Sequence, residues 1–357
     1  MTRPKTSAAT ATIARIAPAV RAVARVLVPV LLALGVSGLV LLALGKNPLA
    51  YYGDVLTRGL LTWGGLQATI TRMAPLLLIA AGLVLSFQAG IWNLGTDGQF
   101  LLAGVITAAL TPVLVGIVPW SIAIILSLIV AFAVGAAWSL IPAFLKASYG
   151  INEIITSLMM SFLGTSLANV LVKIQFRDPS TGVPQTQVLP VADRLPRLFG
   201  TTVHSGILIA VAAVVIVHVV MTRTAFGLKL RMVGANPRAA AHAGLNVAKL
   251  TFATFALSAG LAGLAGAVEI LGVQGTVRTD WNPAYGLLVV PLVFLARFHA
   301  LGVIGFTVFF AVLMIGGESA SRRLGVPQHF VLLLVGMLLL FLALVDYLDH
   351  RRRLMRA

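Results

Sequence analysis

Residues 120–145, WSIAIILSLIVAFAVGAAWSLIPAFL, run for 26 positions without one ionisable side chain. A membrane-crossing helix takes about 20 consecutive apolar residues, so this stretch reads as a span. The same test applied outward finds nine more, at 26–45, 73–90, 100–118, 154–172, 205–221, 250–273, 285–296, 300–317 and 330–345. Composition agrees: with 59% hydrophobic and only 10% charged residues among 357, too little polar surface exists to coat a water-soluble globule. The expectation is an all-α polytopic membrane protein of about ten transmembrane helices. The stretch 285–296 is short and holds Pro291, so with 300–317 it could instead form a re-entrant hairpin, which would lower the count to eight. Cysteine is absent, which excludes disulfides, thiolate metal sites and cysteine nucleophiles.

The net charge of +16 arises from 26 Lys and Arg against 10 Asp and Glu. These cations cluster between apolar runs, where they set topology and meet lipid headgroups, and they are not read as a nucleic-acid surface. Residues 1–25 form an expected cytoplasmic basic arm, 26–346 a transmembrane domain and 347–357 a basic cytoplasmic tail. The first apolar run exceeds a signal-peptide core and is read as an uncleaved span. With both termini inside, 16 of the 26 cations fall on the cytoplasmic face, and Arg72 is counted outside. The segment 173–204, rich in Pro, Asp and Arg, is expected as an external loop able to meet a partner. The segment 222–249 is expected in the cytoplasm with a short helix of its own: Asn236 as N-cap, Pro237 at the first helical position, Ala239, Ala240 and Ala241 as helix formers, and Gly244 as the stop. Two turns of helix need a docking surface. Resting on lipid headgroups is the alternative, disfavoured by the little apolar bulk of this helix.

No phosphate-binding loop occurs, since Gly45-Lys46 is followed by Asn47 and lacks the upstream glycine. The hydrolase and metalloprotease signatures are missing too, and the six histidines have no ligand spacing. Ionisable and polar groups at membrane depth are costly and therefore candidates for a transport path. Glu269 falls near the end of the run 250–273, where helical spacing places Ser258, Ala262, Gly266 and Glu269 on one face; small residues there permit close helix approach. Asn93-Leu94-Gly95-Thr96-Asp97-Gly98-Gln99 interrupts two apolar runs, either as unwound backbone lining a cavity or as a cytoplasmic turn. A second interrupted stretch, 272–286 with Gln274, Asp280, Trp281, Asn282 and Tyr285, holds a comparable place in the second half and suggests an internal repeat of two five-span halves. Asn152-Glu153 reads as a helix cap.

Three ordered motifs carry a resemblance. Residues 89–99, Ala-Gly-Ile-Trp-Asn-Leu-Gly-Thr-Asp-Gly-Gln, resemble the Asn-Ile-Gly-x-Glu-Gly-Gln of nucleoside-type permeases; 150–155, Gly-Ile-Asn-Glu-Ile-Ile, is similar to their Gly-Val-Asn-Glu-Val-Ile; and 234–244 resembles their Asn-Pro-x-Ala-Ala-x-x-Ala-Gly coupling segment. The family is that of the permease subunits of bacterial ATP-binding cassette (ABC) importers, in the branch serving nucleosides, simple sugars and branched-chain amino acids. The likeness runs from about Asn47 to Val345.

The resemblance implies a type II importer-like fold in the bacterial inner membrane and no cofactor in this chain. It also implies three partners: an ATPase subunit that binds and hydrolyses ATP, a second permease, identical or homologous, and an external substrate-binding protein or lipoprotein. Arg231, Asn236, Pro237, Arg238, Ala239, Ala240 and Gly244 would couple to the ATPase. Arg238 stands where a Glu is common, and Leu287 and Leu288 follow Tyr285-Gly286 where the family often carries an acid. Asn93, Asp97, Gln99, Glu269, Gln274, Trp281 and Tyr285 are expected along the path, with a nucleoside as first cargo, a simple sugar second and a branched-chain amino acid third. An ion-coupled carrier using Asp97 and Glu269, or a structural membrane scaffold, are the alternatives from other classes.

Overall fold

The computed structural model describes residues 27–354 apart from 328, so the expected arm 1–25 and the last three residues of the expected tail lie outside the described residues. Among the described residues fourteen α-helices follow one another: α1 (Leu27–Ala43), α2 (Pro48–Leu56), α3 (Trp63–Gln88), α4 (Thr96–Val115), α5 (Trp120–Trp138), α6 (Leu140–Tyr149), α7 (Glu153–Val170), α8 (Gly206–Arg223), α9 (Ala225–Ala235), α10 (Pro237–His242), α11 (Val247–Glu269), α12 (Tyr285–Leu295), α13 (Gly302–Leu324) and α14 (Phe330–Leu354). Seven helical stretches are long and apolar enough to cross a membrane, and three shorter apolar helices at Leu27–Ala43, Tyr285–Leu295 and Phe330–Val345 complete a set that matches the ten expected segments one for one.

One expectation changes. α3 begins at Trp63, where the Thr62 hydroxyl accepts the Gly65 N–H at 3.2 Å. Arg72, counted among the external cations, therefore lies inside the span. α12 has 11 residues, about 16 Å of helix, roughly half a crossing. Its first turn lies beside Asp97 of α4, through the Gly286 N–H, while the Phe298 carbonyl just past its end accepts from Gln88 Nε2 at 2.5 Å at the far end of α3. α12 therefore runs between the level of Asp97 and the end of α3. α13 returns from the His299 end to the level of Gly59, whose Cβ position meets the Val312 carbonyl at 2.8 Å.

The chain divides into two compact units, Thr57–Ile315 and a second made of the segments on either side of it. In the larger unit α11 is central and packs against α3, α4, α5 and α6. Its small residues make this possible: a Cβ at Gly266 would sit 2.1 Å from the Phe100 carbonyl of α4, and one at Gly263 2.3 Å from the Ala131 carbonyl of α5. Backbones in direct contact gain van der Waals attraction where burial of apolar surface from lipid gains nothing. In the smaller unit Tyr51 of α2 is buried edge-on against Phe330 of α14, with ring centroids 5.2 Å apart, and Arg323 of α13 pairs with Asp54 of α2 at 2.7 Å.

Gly266→Val is expected to lower the melting temperature of the detergent-solubilised protein sharply, because the overpacking cost of about 1–3 kcal/mol falls on a backbone that cannot move aside. Gly305→Ala, where a Cβ meets nothing within 4 Å, should melt like the parent; equal melting of both variants would refute the packing assignment.

Candidate functional site

The interrupted stretch after α3 is held by side chains. Gly90 takes φ +71 and turns the chain back, and residues 91–95 are not helical. Asn93 is fully buried: its Nδ2 donates to Gln99 Oε1 at 3.1 Å and to Ser258 Oγ of α11 at 3.1 Å, and its Oδ1 accepts from Gln99 Nε2 at 3.0 Å and from the Gly95 N–H at 3.2 Å. An amide has two N–H donors and two acceptor lone pairs, so Asn93 is saturated. Two serines of α7 serve the same stretch, Ser157 accepting the Leu94 N–H at 3.1 Å and Ser161 the Gly98 N–H at 3.0 Å. Because Ser258 also meets Gly82, six residues before the end of α3, Asn93 lies about 9 Å inside that end. The stretch is non-helical backbone folded back alongside the last turns of α3 and buried inside the protein.

Asp97, one turn further along, points to the start of α12. Ala284 at that N-terminus supplies no side-chain cap and sits at φ +53; Asp97 Oδ1 instead accepts the Gly286 N–H at 2.7 Å. One helix thus caps another, with the carboxylate on the electropositive end. A side chain at Gly286 would strike Thr96 Oγ1 at 2.3 Å, so the two N-termini touch.

From here a polar column extends away from α10. The Tyr285 hydroxyl receives a hydrogen bond from Arg72 and faces Glu269 Oε1 at 3.5 Å, while Gln274 Nε2 donates to the same carboxylate oxygen at 3.1 Å. Glu269 is 1% exposed, so it is no solvated surface acid. A π-helical turn, Ile270–Gln274, brings Gln274 back onto it. Aromatic rings flank the column: Phe100 stands 5.5 Å from Tyr285 and 6.0 Å from Trp281, centroid to centroid.

Of the seven residues expected on the path, Asp97, Glu269, Gln274, Trp281 and Tyr285 come together here, whereas Asn93 and Gln99 are spent on each other and on α11. Arg72 and Phe100 were missed. An arginine inside the helical continuation of an apolar run is the signal that could have found Arg72.

Past the column, the loop between α7 and α8 is laced to the loop between α11 and α12. The Thr186 N–H donates to the Val277 carbonyl at 2.9 Å, Leu189 to Gly275 at 2.8 Å, Leu195 to Leu271 at 2.9 Å and Thr279 to Pro184 at 3.1 Å. His204 is buried between Gly206 and Gly272, its Nδ1 accepting the Gly206 N–H at 3.1 Å, and burial pushes the imidazole down to about 4, so it is neutral. The Asp178 carboxylate is held below the usual range by the Ser180 hydroxyl and N–H.

At the opposite end lies the short helix read from sequence. Asn236 Oδ1 accepts the Ala239 N–H at 3.1 Å, Pro237 occupies the first turn, and Gly244 at φ +82 closes the helix as Leu245 N–H returns to the Ala240 carbonyl at 3.1 Å. Pro237, Arg238, Ala239 and Ala241 are exposed, as is Arg231 on α9; Ala240 turns inward. Just before it, Gly234 abuts the end of α3 so closely that a Cβ would lie 2.2 Å from the Gln88 carbonyl. Asn152 caps α7 by accepting the Ile154 N–H at 2.9 Å, and Glu153 pairs with Lys146 at 2.7 Å.

Residues 65–343 match the family described as branched-chain amino acid transport system / permease component. The chain is 35% identical over 349 residues to the glucose ABC transporter permease protein TsgB13 of Haloferax volcanii, covering 95% of this chain and 91% of that one. It is 25% identical to the nucleoside ABC transporter permease protein NupB of Lactococcus lactis, covering 85% and 86%. With the guanosine ABC transporter permease protein NupP of Bacillus subtilis it shares 27% identity, covering 89% and 92%. No solved structure matches. Polytopic, all-helical where described, and matched over most of its length, the chain belongs to the branched-chain amino acid transport system / permease component family and is an ABC transporter permease.

Proposed function

We propose that this permease forms, with a second permease, the translocation path of an importer in the inner membrane for a small polar solute, driven by a partner ATPase and supplied by an external binding protein. Both termini are then cytoplasmic, and α10 faces the ATPase. The observation that carries the reading is the column of Asp97, Tyr285, Glu269, Gln274 and Arg72. It offers donors and acceptors in number beside the rings of Phe100 and Trp281, a chemistry suited to a nucleoside, whose base can stack and whose ribose can hydrogen-bond. A simple sugar is the second reading, favoured by the 35% identity to a glucose permease. Glu269 and Tyr285 are buried, so cargo reaches them only after the walls part, and contacts made then must be weak enough to release it.

Coupling follows from the same geometry. The exposed face of α10 offers alanines that let another protein approach closely and Arg238 for an acidic partner. Movement there passes through α9 to the Gly234–Gln88 contact and so to the interrupted stretch ahead of Asp97. The ATPase works on the helix starts at Asp97 and Gly286 through the chain itself.

The test is purification of the tagged chain in gentle detergent with mass spectrometry of its companions, then uptake of labelled uridine and glucose by proteoliposomes of the recovered complex. ATP-dependent uptake of either solute supports the importer, and competition between them ranks the cargo. Gradient-driven uptake by the chain alone would establish the ion-coupled carrier instead. Asp97→Asn, losing a charged hydrogen bond worth about 1.5–3 kcal/mol, should cut uptake roughly tenfold or more with the ATPase still copurifying; parental uptake would return Asp97 to a merely structural cap. Gly244→Val places a β-branched residue at positive φ and should abolish ATPase copurification with membrane insertion intact. Retention of the ATPase by that variant would remove α10 from the coupling surface.

A further inference from the structure

The smaller unit carries a groove lined by none of the residues of the polar column. α1 ends in a glycine cap, with Gly45 at φ +71, its N–H on the Leu42 carbonyl at 2.9 Å and the Lys46 N–H on the Leu41 carbonyl at 2.8 Å. The chain then folds back, so that α2 runs alongside α1: Pro48 lies 3.5 Å from a Cβ placed at Gly38, and the Tyr52 hydroxyl donates to the Leu34 carbonyl at 2.7 Å. Between them is an open cavity of about 740 Å³ whose lining includes Leu34, Gly35, Gly38, Leu42, Lys46 and Tyr52.

Its two floor glycines serve no close packing. A Cβ at Gly35 meets nothing within 4 Å and one at Gly38 nothing nearer than 3.5 Å, unlike the glycines of α11 that touch another backbone. Leu39, Leu42 and Leu49 stand 64%, 58% and 82% exposed along the rim. Lys46 is the charged group lining the groove, half-buried, its ammonium lying beside Gly325, where a Cβ would meet Nζ at 3.2 Å, and making no hydrogen bond or ion pair among the described residues. It sits three residues past the end of α1, at the level of an interface, whereas Leu34 lies nine residues inside that end, about 14 Å deeper. A cation at the membrane surface above an apolar channel that descends toward the bilayer centre has the polarity of a phospholipid.

We propose that the α1–α2 groove binds one anionic phospholipid, with its phosphate on the Lys46 ammonium and an acyl chain along Gly38 and Gly35 to Leu34. A neutral transmembrane helix would fill the apolar part and leave the ammonium without an anion. The flexible lysine stem lets the charge stay in the headgroup layer while its methylenes cover the groove.

The test is native mass spectrometry of the intact purified complex after exchange into equal phosphatidylglycerol and phosphatidylcholine. One phosphatidylglycerol per chain should be retained. Lys46→Gln should lower the preference for phosphatidylglycerol about fivefold, the share of one interfacial cation. Gly38→Leu, whose Cβ makes only ordinary van der Waals contact with Pro48 and Tyr52 while its branch fills the floor, should lose retention of both lipids. Retention by both variants equal to the parent would overturn the site. Because the chain has no cysteine, Leu39→Cys supplies a second readout: a disulfide between two copies in vesicles would give the groove to a protein partner and overturn the lipid. Should Gly38→Leu fail to fold, the preference measured for Lys46→Gln decides.

Discussion

Backbone that leaves a helix inside an apolar environment must find new hydrogen-bond partners, since no water is there to supply them. Everything in the larger unit turns on how that demand is met between α3 and α4. Asn93 spends all its capacity on Gln99, Gly95 and Ser258, and two serines one helical turn apart on α7 take up the amides of Leu94 and Gly98. Four helices are thereby tied to one stretch of irregular chain. The reward is a helix start well inside the protein, with Asp97 available to reach a second helix start at Gly286.

The centrality of α11 is the other half of the design. Gly263 and Gly266 let α4 and α5 close on it to backbone contact, which leaves no room for side chains there and pushes the polar chemistry toward its end. At that end a π-helical turn changes the direction of the chain and delivers Gln274 onto Glu269. Tyr285, at the head of α12, stands between the arginine of α3 and the carboxylate of α11, so three helices share one hydrogen-bonded chain.

Much of this was legible in the amino-acid sequence, and the boundary between legible and illegible is physical. The ten apolar helices follow from uninterrupted hydropathy, and α10 follows from Asn236, Pro237 and Gly244 because caps act within a few residues of themselves. Arg72 escaped because Gln67, Thr69 and Thr71 made the first turns of α3 look like a linker. The polarity of Gln67 and Thr69 is absorbed inside the fold: Gln67 accepts from the Thr202 N–H and hydroxyl at 2.8 Å, and Thr69 donates to the Gly59 carbonyl at 2.6 Å. The role of Asp97 escaped for a similar reason, because its partner lies 189 residues away. Asn93 and Gln99 looked like cargo ligands by composition, and only geometry reveals that they are occupied with one another.

The contact of Gly234 with the end of α3 bears on how force moves through the molecule. Side chains interposed between two helices act as springs: they change rotamer, tilt or slide, and absorb small displacements before passing any on. Where a glycine lies directly against the carbonyl of Gln88, with Gly90 next in line, that compliance is absent. A shift of α9 by a fraction of an ångström has nowhere to dissipate, so the joint transmits position rather than merely pressure, and its timing is set by rigid bodies instead of side-chain relaxation.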